Sequence, residues 1–257
     1  MGLPSIFITG AGAGIGRATA LFFASKGWFV GLYDQNQEAV EVLAAEIGTA
    51  HCCYATMDVC DEEQVAAALA QFATHTGGSM EVLFNNAGIL QMGVLRQIPL
   101  EAHHRSIEVN LWGVVNCTYQ ALPLLQRGKA PCVVNMSSAS ALYGVPEFGV
   151  YSATKHAVSA LTEALNIELE KEGIFVCDVL PPFVKTDMLE KASYRAGSVA
   201  KMGVHLQAED IAQVVWKAAT GRKRIHWIVS TQLKILNLVG GWFPGLKRAI
   251  MKKMTLG

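Results

Sequence analysis

The sequence lacks the features that would place it among nucleic-acid-binding or membrane-spanning proteins. Only 16% of its 257 residues are charged, and 21 basic residues balance 21 acidic ones, so no overall field attracts nucleic acid. No uninterrupted apolar run reaches the ~20 residues that a membrane span requires. The apolar residues 6–8 follow Met1 too closely to leave room for a signal segment. We therefore expect a cytoplasmic protein that binds no nucleic acid.

Paired cysteines are also missing. The six cysteines, at positions 52, 53, 60, 117, 132 and 177, form no C-x-x-C pair and no zinc-type spacing. Several lie inside apolar runs, which is typical of reduced core thiols. We expect no metal site.

What the sequence does contain is an alternation of short apolar runs with amphipathic stretches. Strands are predicted at residues 6–8, 28–33, 52–57, 82–84, 132–136, 175–180 and 227–229. Helices are predicted at residues 17–26, 36–47, 61–75, 100–127, 151–172 and 208–219. This order predicts an α/β fold, a doubly wound and mainly parallel seven-stranded sheet with helices on both faces. No linker or repeat divides the chain, so we expect a single domain over residues 1–257.

The least regular stretch is 186–207, which follows a strand end. Because ligands of open α/β sheets bind beyond the carboxyl ends of the strands, this stretch is our candidate for a lid.

A glycine-rich turn follows the first predicted strand. Residues 9–16 read TGAGAGIG and open the next helix. Ile15 stands at the sixth place, so G-x-G-x-x-G fails and the pattern is Gly10-x-x-x-Gly14-x-Gly16. Glycines bring backbone N–H groups close to a phosphate at a helix N-terminus. The turn therefore predicts an anion site.

Asp34 ends the second apolar run, where the ribose of a dinucleotide would lie. A carboxylate there accepts ribose hydroxyls and repels a 2′-phosphate, which favours NAD(H) over NADP(H). The alternative is that Asp34 caps the helix beginning near Asn36. Ala13 and Gln35 offer no positive charge, and Arg17 is the one basic residue of the turn that could reach a 2′-phosphate.

Tyr151 and Lys155 are four residues apart and share one helical face. A nearby ammonium favours phenolate and lowers the phenol pKa from ~10 toward the ~7 that acid–base catalysis prefers. The alternative is an ordinary pair on a helix surface.

Taken together, these motifs resemble the short-chain dehydrogenase/reductase family across about residues 4–230. The chain has the family's glycine turn, then NNAG at 85–88, Asn110, Ser138 and Tyr151 with Lys155, in the family's order. The resemblance implies a Rossmann-type fold and hydride transfer between a nicotinamide and an alcohol or ketone.

The same resemblance implies four catalytic residues. Tyr151 is the acid or base, and Ser138 hydrogen-bonds the substrate oxygen, with Ser137 as the alternative. Lys155 holds the nicotinamide ribose and tunes Tyr151, and Asn110 positions a water that links Lys155 to solvent.

The implied cofactor contacts are a larger set. They are Gly10, Gly14, Ile15, Gly16, Asp34, Asp58, Val59, Asn86, Ala87, Gly88, Tyr151, Lys155, Val184 and Thr186. Pro182 departs from the family, which usually has glycine after Pro181, and it restricts the backbone beside the nicotinamide.

The residues expected to contact substrate are mostly apolar. They are Ser138, Tyr143, Val145, Phe148 and Leu189, with Ala139, Leu90, Met92 and Met188 beside them. Such a pocket favours a hydrophobic alcohol or ketone, of steroid, retinoid-like or aliphatic type. The alternative is that half of these side chains pack in the core.

The last segment, 230–257, interleaves apolar and aromatic residues with Lys234, Lys247, Arg248, Lys252 and Lys253. This composition is typical of an interfacial segment that touches a membrane peripherally. Packing on a neighbouring subunit or capping the substrate cleft would require the same residues.

Three functions compete on this sequence: a reversible oxidoreductase, a dinucleotide sensor without turnover, and a membrane- or partner-binding protein. The presence of Ser138, Tyr151 and Lys155 together favours the first. The resemblance further implies a homodimer or homotetramer, formed through the helices at 100–127 and 151–172.

Overall fold

The computed structural model describes residues 2–190, 194, 196–242 and 244–255. Its seven-stranded sheet has the order β3-β2-β1-β4-β5-β6-β9, and every neighbouring pair is parallel. The strands are β1 (Ser5–Thr9), β2 (Phe29–Asp34), β3 (Cys52–Thr56), β4 (Val82–Asn85), β5 (Cys132–Met136), β6 (Phe175–Leu180) and β9 (His226–Ile228). The predicted Rossmann-type sheet is confirmed, with each strand within two residues of its predicted bounds.

Helices connect the strands on both faces. They are α1 (Gly14–Ser25), α2 (Gln37–Ile47), α3 (Glu62–Thr76), α4 (Leu100–Ile107), α5 (Gly113–Leu125), α6 (Gly149–Glu168) and α9 (Ala208–Thr220). Local chemistry sets several of their ends. Asn36 caps α2, Asp61 caps α3 through the N–H groups of Glu63 and Gln64, and Gly77 ends α3 in the left-handed region.

Successive residues of the strands contribute to two separate cores, one on each face of the sheet. In β1, Ile6 and Ile8 pack on the face covered by α1, α2 and α9, whereas Phe7 packs on the opposite face against Tyr33 and Phe72. Successive strand side chains point to opposite faces, so a sheet covered on both sides has near-continuous apolar strands.

The predicted helix at 100–127 is not uniform. Between α4 and α5 the chain forms a π-helical segment, Glu108–Trp112. The extra residue of this π-helical turn lies where the chain makes two close contacts. The Asn110 amide bonds the backbone of Ile89, and a Cβ on Gly113 would lie 2.5 Å from Val59 Cγ2. A periodic apolar pattern does not distinguish such a bulge from an α-helix.

The stretch 186–207 contains more regular structure than predicted. It includes α7 (Asp187–Glu190) and α8 (Gly197–Met202). A two-stranded parallel ladder of β7 (Val184–Lys185) and β8 (Leu206–Gln207) closes its base. Residues 191–193 and 195 of the lid candidate lie outside the described residues.

The C-terminal segment forms α10 (Thr231–Trp242) and α11 (Pro244–Thr255), which pack against each other. The side chain of Lys201 in α8 donates to the Lys253 carbonyl of α11 at 3.0 Å. Among the described residues, no helix is long and apolar enough to cross a membrane.

Candidate active site

A cavity of about 300 Å³ opens beyond the carboxyl ends of β1, β4, β5 and β6. Strand order reverses between β1 and β4, and open α/β sheets bind their ligands at such a switch point. One end of the cavity is lined by the glycine turn and Asp34. Its other walls come from the residues after β5, from α6, from the segment after β6 and from the C-terminal helices.

The glycine turn is built so tightly that side chains would not fit. A Cβ on Gly16 would lie 2.0 Å from the Gly10 carbonyl oxygen. Gly10 has φ +66°, and a Cβ there would lie 2.9 Å from Ala87 Cα. Gly10, Gly14 and Ile15 line the cavity, whereas Gly16 is buried behind them and packs the start of α1 on the turn.

Asn86 and Thr9 fix this turn to the end of β4. The Asn86 amide donates to the carbonyls of Thr9 and Gly10 at 3.0 and 2.9 Å. The Thr9 hydroxyl accepts the N–H groups of Asn86 and Ala87, both at 3.0 Å. Asn86, Ala87 and Gly88 line the cavity. Thr9 does not line the cavity, but its hydroxyl holds these residues in place, a role that the sequence pattern did not indicate.

The Asp34 carboxylate lines the cavity and is held by two backbone donors. Oδ2 accepts the Gly12 N–H and Oδ1 accepts the Asn36 N–H, each at 2.9 Å. Asn36 itself caps α2, through Ala39 N, so Asp34 is not the cap of that helix. Gly12 was missed because the G-x-G spacing failed. Its role is to let the turn approach Asp34, since a Cβ there would lie 3.1 Å from the Asp34 carboxyl carbon.

Arg17, the basic residue that could have reached a 2′-phosphate, forms an ion pair with Glu46 of α2. It does not line the cavity.

Tyr151, Ser138 and Lys155 all line one part of the cavity. Tyr151 lies in the first turn of α6 and Ser138 directly follows β5 with Ser137. The Ser137 hydroxyl faces away, bonded to the Lys155 carbonyl at 3.1 Å and to Ser159 Oγ at 3.0 Å. Ser138 is therefore the serine whose side chain is positioned beside Tyr151, with which it forms a hydrogen bond.

Lys155 is only 3% exposed, and its ammonium donates to the Met136 carbonyl at 2.7 Å. The Nζ atom lies 5.7 Å from the centre of the Tyr151 ring. Burial lowers the pKa of Lys155 to about 8, because an ammonium loses hydration when it is withdrawn from water.

The Tyr151 phenol behaves differently from our expectation. Withdrawal from water raises its pKa, and the hydrogen bond with Ser138 opposes that rise. We expected Lys155 to lower this pKa. In the structure the buried ammonium is turned toward Met136 O, so the phenol form is favoured at neutral pH.

Asn110 is fully buried in the π-helical segment. Its Oδ1 accepts Ile89 N at 2.7 Å, and its Nδ2 donates to Ile89 O at 2.9 Å and to Thr154 Oγ1 at 3.4 Å. A Cβ on Gly88 would lie 3.2 Å from that Oδ1 and 3.7 Å from Lys155 Nζ. The Asn110 side chain thus holds the chain after Gly88 against Lys155, and its Oδ1 retains one acceptor lone pair.

Asp58 and Val59, like Gly16, are implied cofactor residues that do not line the cavity. Asp58 pairs with Arg105 at 2.6 Å and accepts Cys60 N at 2.9 Å. Val59 is buried against Gly113. Val184 and Thr186 do line the cavity, with Thr186 against Gly14 and with Pro181 and Pro182 just before them.

The substrate side is lined by most of the residues expected there. Tyr143, Val145, Phe148 and Leu189 line the cavity, as do Ala139, Leu90 and Met188. Met92 does not, because it packs behind Phe148 and Leu189.

The C-terminal helices form one wall of the cavity. From the sequence alone, the role of this segment was open between membrane contact, subunit contact and capping of the cleft. Five residues of these helices line the cavity, namely Leu233, Leu236, Asn237, Lys247 and Met251. Of the alternatives for this segment, capping the cleft is the one seen in the structure. The spacing of apolar residues on α10 could have indicated two faces, but not which element they meet.

A family model described as short chain dehydrogenase matches residues 4–196. The chain belongs to the short-chain dehydrogenase family. Among curated relatives of the family, it is 38% identical over 190 residues to a 2,5-dichloro-2,5-cyclohexadiene-1,4-diol dehydrogenase from Sphingobium indicum, covering 73% of this chain and 75% of the relative. It is 34% identical over 217 residues to a cyclohexanol dehydrogenase from an Acinetobacter species, covering 81% and 84%.

Solved structures of the family have the same fold. A short-chain dehydrogenase/reductase from Burkholderia phymatum in complex with NAD superposes with a TM-score of 0.85, at 25% identity, covering 96% of this chain and 95% of that one. ElxO with NADP bound gives a TM-score of 0.77 at 27% identity, covering 88% and 96%. Relatives with either dinucleotide therefore share this architecture, and the chain is an oxidoreductase of nicotinamide-dependent type acting on CH–OH or C=O groups.

Proposed function

We propose that the protein transfers hydride between NAD(H) and an apolar secondary alcohol or ketone. The observation that carries this proposal is a single cavity that joins Asp34 and the glycine turn to Ser138, Tyr151 and Lys155, with mainly apolar walls beyond them. The residues fit a dinucleotide, since Gly10 and Gly14 line the cavity with backbone only and the turn comes close to the Asp34 carboxylate at Gly12. The relatives named for cyclohexanol and for a chlorinated cyclohexadienediol support a cyclic apolar alcohol as substrate.

The proposed mechanism assigns each residue a task that its position allows. When bound, the nicotinamide supplies or accepts the hydride. Tyr151 gives its proton to the carbonyl oxygen in reduction and takes it back in oxidation. Ser138 donates a hydrogen bond to the same oxygen as charge develops there. Lys155 holds the ribose and supplies positive charge near the phenol, and Asn110 keeps the chain after Gly88 against it.

Activity is tested by reduced-nicotinamide absorbance with cyclohexanol, cyclohexanone and longer aliphatic or steroid ketones. Tyr151→Phe is expected to lower kcat by about a hundredfold or more, in line with the loss of a general acid–base catalyst. Tyr54→Phe, an exposed tyrosine of β3 away from the cavity, is the matched control. Equal turnover by wild type and Tyr151→Phe would disprove the mechanism. Tight NADH binding without turnover of any substrate would favour the sensor instead.

Preference for NAD(H) rests on Asp34, whose carboxylate lies at the turn while Arg17 is paired with Glu46. A 2′-phosphate would meet negative charge here. Titration is expected to give at least tenfold tighter binding of NADH than of NADPH. Asp34→Asn keeps an oxygen that can accept the Gly12 N–H but removes the negative charge, so the difference in affinity between NADH and NADPH should become smaller. Tighter binding of NADPH by the wild type would contradict the assignment.

A second proposal concerns the outer face of α10. Ile235, Leu238, Val239 and Trp242 recur at helical spacing and are exposed, Trp242 by 80%. Residues 231–255 include five basic residues and no acidic one. An isologous contact between two such faces would bring like charges together, whereas an anionic lipid surface offers both apolar depth and opposite charge. We propose peripheral contact with anionic membranes through this face.

Flotation with vesicles containing phosphatidylserine or phosphatidylglycerol tests this contact. Binding is expected to decrease with salt and to fall by at least about tenfold in Leu238→Ser/Trp242→Ser. Val42→Ser, which changes an exposed apolar residue of α2, is the control. If the wild type stays with the unbound fraction at low salt, the protein has no such contact.

A further inference from the structure

Two polar side chains interrupt the apolar wall that the C-terminal helices contribute to the cavity. They are Asn237 of α10 and Lys247 of α11, and both line the cavity. Lys247 Nζ donates to the Leu142 carbonyl and to Asn237 Oδ1, each at 3.1 Å. These bonds join the two helices to the segment after β5. Both acceptors are neutral, so the ammonium is held in place without its charge being balanced.

The orientation of the Asn237 amide follows from this contact. An ammonium has three donors and no acceptor, so only the carbonyl oxygen of the amide can face it. The amide nitrogen, with its two donors, is therefore turned away from Nζ. Within the described part of the chain, this nitrogen has no hydrogen-bond acceptor, and one of the three Lys247 N–H groups also has none. The wall thus presents unused donors beside a positive charge.

The charge of Lys247 is also not paired within the described residues. Lys247 forms no ion pair with any residue that the structure describes. Among the described residues, the carboxylate that lines the cavity is that of Asp34, which is bonded to backbone N–H groups at the glycine turn. A half-buried cation beside Leu236 and Met251 gains most from an anionic partner with two acceptor oxygens.

From this donor pair we propose that Lys247 and Asn237 bind an anionic group, such as a carboxylate, on the substrate itself. This inference rests on the proposed oxidoreductase function and narrows its substrate class to an apolar ketone or alcohol with an acidic group at a distance from the reacting carbon. Leu142 follows the 3₁₀ turn Ala139–Ala141 that begins after Ser138. At ~2 Å rise per residue, the Leu142 carbonyl that anchors Lys247 lies roughly 8 Å along the chain from Ser138, which favours a spacer of several atoms between the reacting carbon and the acidic group.

The test compares 6-oxoheptanoate, its methyl ester and 2-oxoheptanoate as substrates with NADH. The wild type is expected to use 6-oxoheptanoate with a kcat/KM at least about tenfold above that of the ester, as charge-assisted hydrogen bonds require. It should use 2-oxoheptanoate poorly. In Lys247→Met the acid-to-ester ratio should fall to near one, with the change in KM rather than kcat. Lys247→Arg should retain part of the preference, and Lys252→Met, exposed on the same helix, should leave the ratio as in the wild type.

The subsite is rejected if the wild type prefers the ester, or if Lys247→Met lowers kcat/KM equally for the acid and the ester. Lys247 would then serve only to link the two helices to the segment after β5. If no ketone is reduced, the proposed function fails separately. The subsite is then measured by calorimetric titration of heptanoate into the NADH complex. Binding that is at least about tenfold weaker in Lys247→Met supports the subsite, and equal binding rejects it.

Discussion

At the scale of single residues, the burial of Lys155 makes the stability of the protein depend on pH. Its pKa is lowered from 10.5 to about 8 by burial. Between these two values the unfolded chain holds a proton that the folded protein does not, so this residue contributes stability that increases as pH rises from about 8 to about 10.5. Below about 8 the buried ammonium carries its full penalty.

We therefore expect the free energy of unfolding of the protein without cofactor to rise, relative to that of Lys155→Met, by up to about 3 kcal/mol between pH 7.5 and 10.5. Urea unfolding followed by circular dichroism measures it. Lys252→Met should run parallel to the wild type at all pH values. Parallel curves for Lys155→Met would show that the ammonium is not destabilised by burial.

Gly16 is the residue of the turn that leaves least room for a side chain. A Cβ there would lie 2.0 Å from the Gly10 carbonyl oxygen and 2.7 Å from Asn86 Nδ2. Gly16→Ala should therefore displace the turn, weaken NADH binding by at least about tenfold and destabilise the fold by about 2 kcal/mol. Fluorescence titration and thermal unfolding report the two effects. Gly149→Ala, with nothing within 4 Å of its added Cβ, is the control, and equal behaviour of both variants would contradict the expected clash.

At the scale of elements, the stretch containing α7 and α8 is attached to the substrate loop through one carboxylate. Glu147 accepts the Tyr194 hydroxyl and, at 2.9 Å, the Gly197 N–H. It is the non-glycine residue with positive φ, +67°, in the described part of the chain. A residue keeps this conformation only when its surroundings fix it. These bonds hold the lid candidate against the loop that carries Tyr143 and Val145.

Glu147→Ala should loosen this attachment and raise KM by about threefold to tenfold with a smaller change in kcat, because the lid would close less often over substrate. Cleavage by a protease within residues 187–203 should also become faster. Glu147→Gln keeps an acceptor and should recover much of the effect, and Glu170→Ala, exposed away from the cavity, should resemble the wild type. An unchanged KM and cleavage rate in Glu147→Ala would remove Glu147 from this role.

At the scale of the whole molecule, a second group of exposed apolar side chains comes from outside the C-terminal helices. Leu100, Ile107, Trp112, Tyr119 and Ile167, from α4, the π-helical segment, α5 and α6, are exposed large side chains. α4 and the π-helical segment pack on α6, and α5 packs on the π-helical segment. Because soluble proteins rarely leave such patches uncovered, we propose that this surface forms the homo-oligomer contact.

Sedimentation velocity is expected to show a dimer or tetramer for the wild type and a smaller species for Tyr119→Glu/Ile167→Glu, since charges introduced at a buried apolar contact are costly. Trp242→Glu, on the outer face of α10, should leave the assembly intact. Dissociation by Trp242→Glu alone would move the contact to the C-terminal helices, and a monomeric wild type would exclude both surfaces.

Much of this architecture is encoded locally. The apolar strands, the cap at Asn36 and the left-handed glycine at Gly77 follow from residue type and spacing, so the α/β order and the parallel sheet could be predicted. The glycine turn and Asp34 were identified from their position at the carboxyl ends of β1 and β2, where a parallel sheet collects its ligand-binding residues. Ser138, Tyr151 and Lys155 were identified because their order and spacing resemble those of the family.

Other features depend on contacts between distant parts of the chain. Ser138 was preferred to Ser137 on spacing, but the physical reason, that Ser159 and the Lys155 carbonyl engage Ser137, lies in such contacts. The raised pKa of Tyr151 came from burial combined with a lysine turned toward Met136. Likewise, Lys247 reached the cavity only because α11 folds back across more than a hundred residues to Leu142. Periodicity records which residues are apolar or charged, whereas desolvation and hydrogen bonding depend on which groups the finished fold brings together.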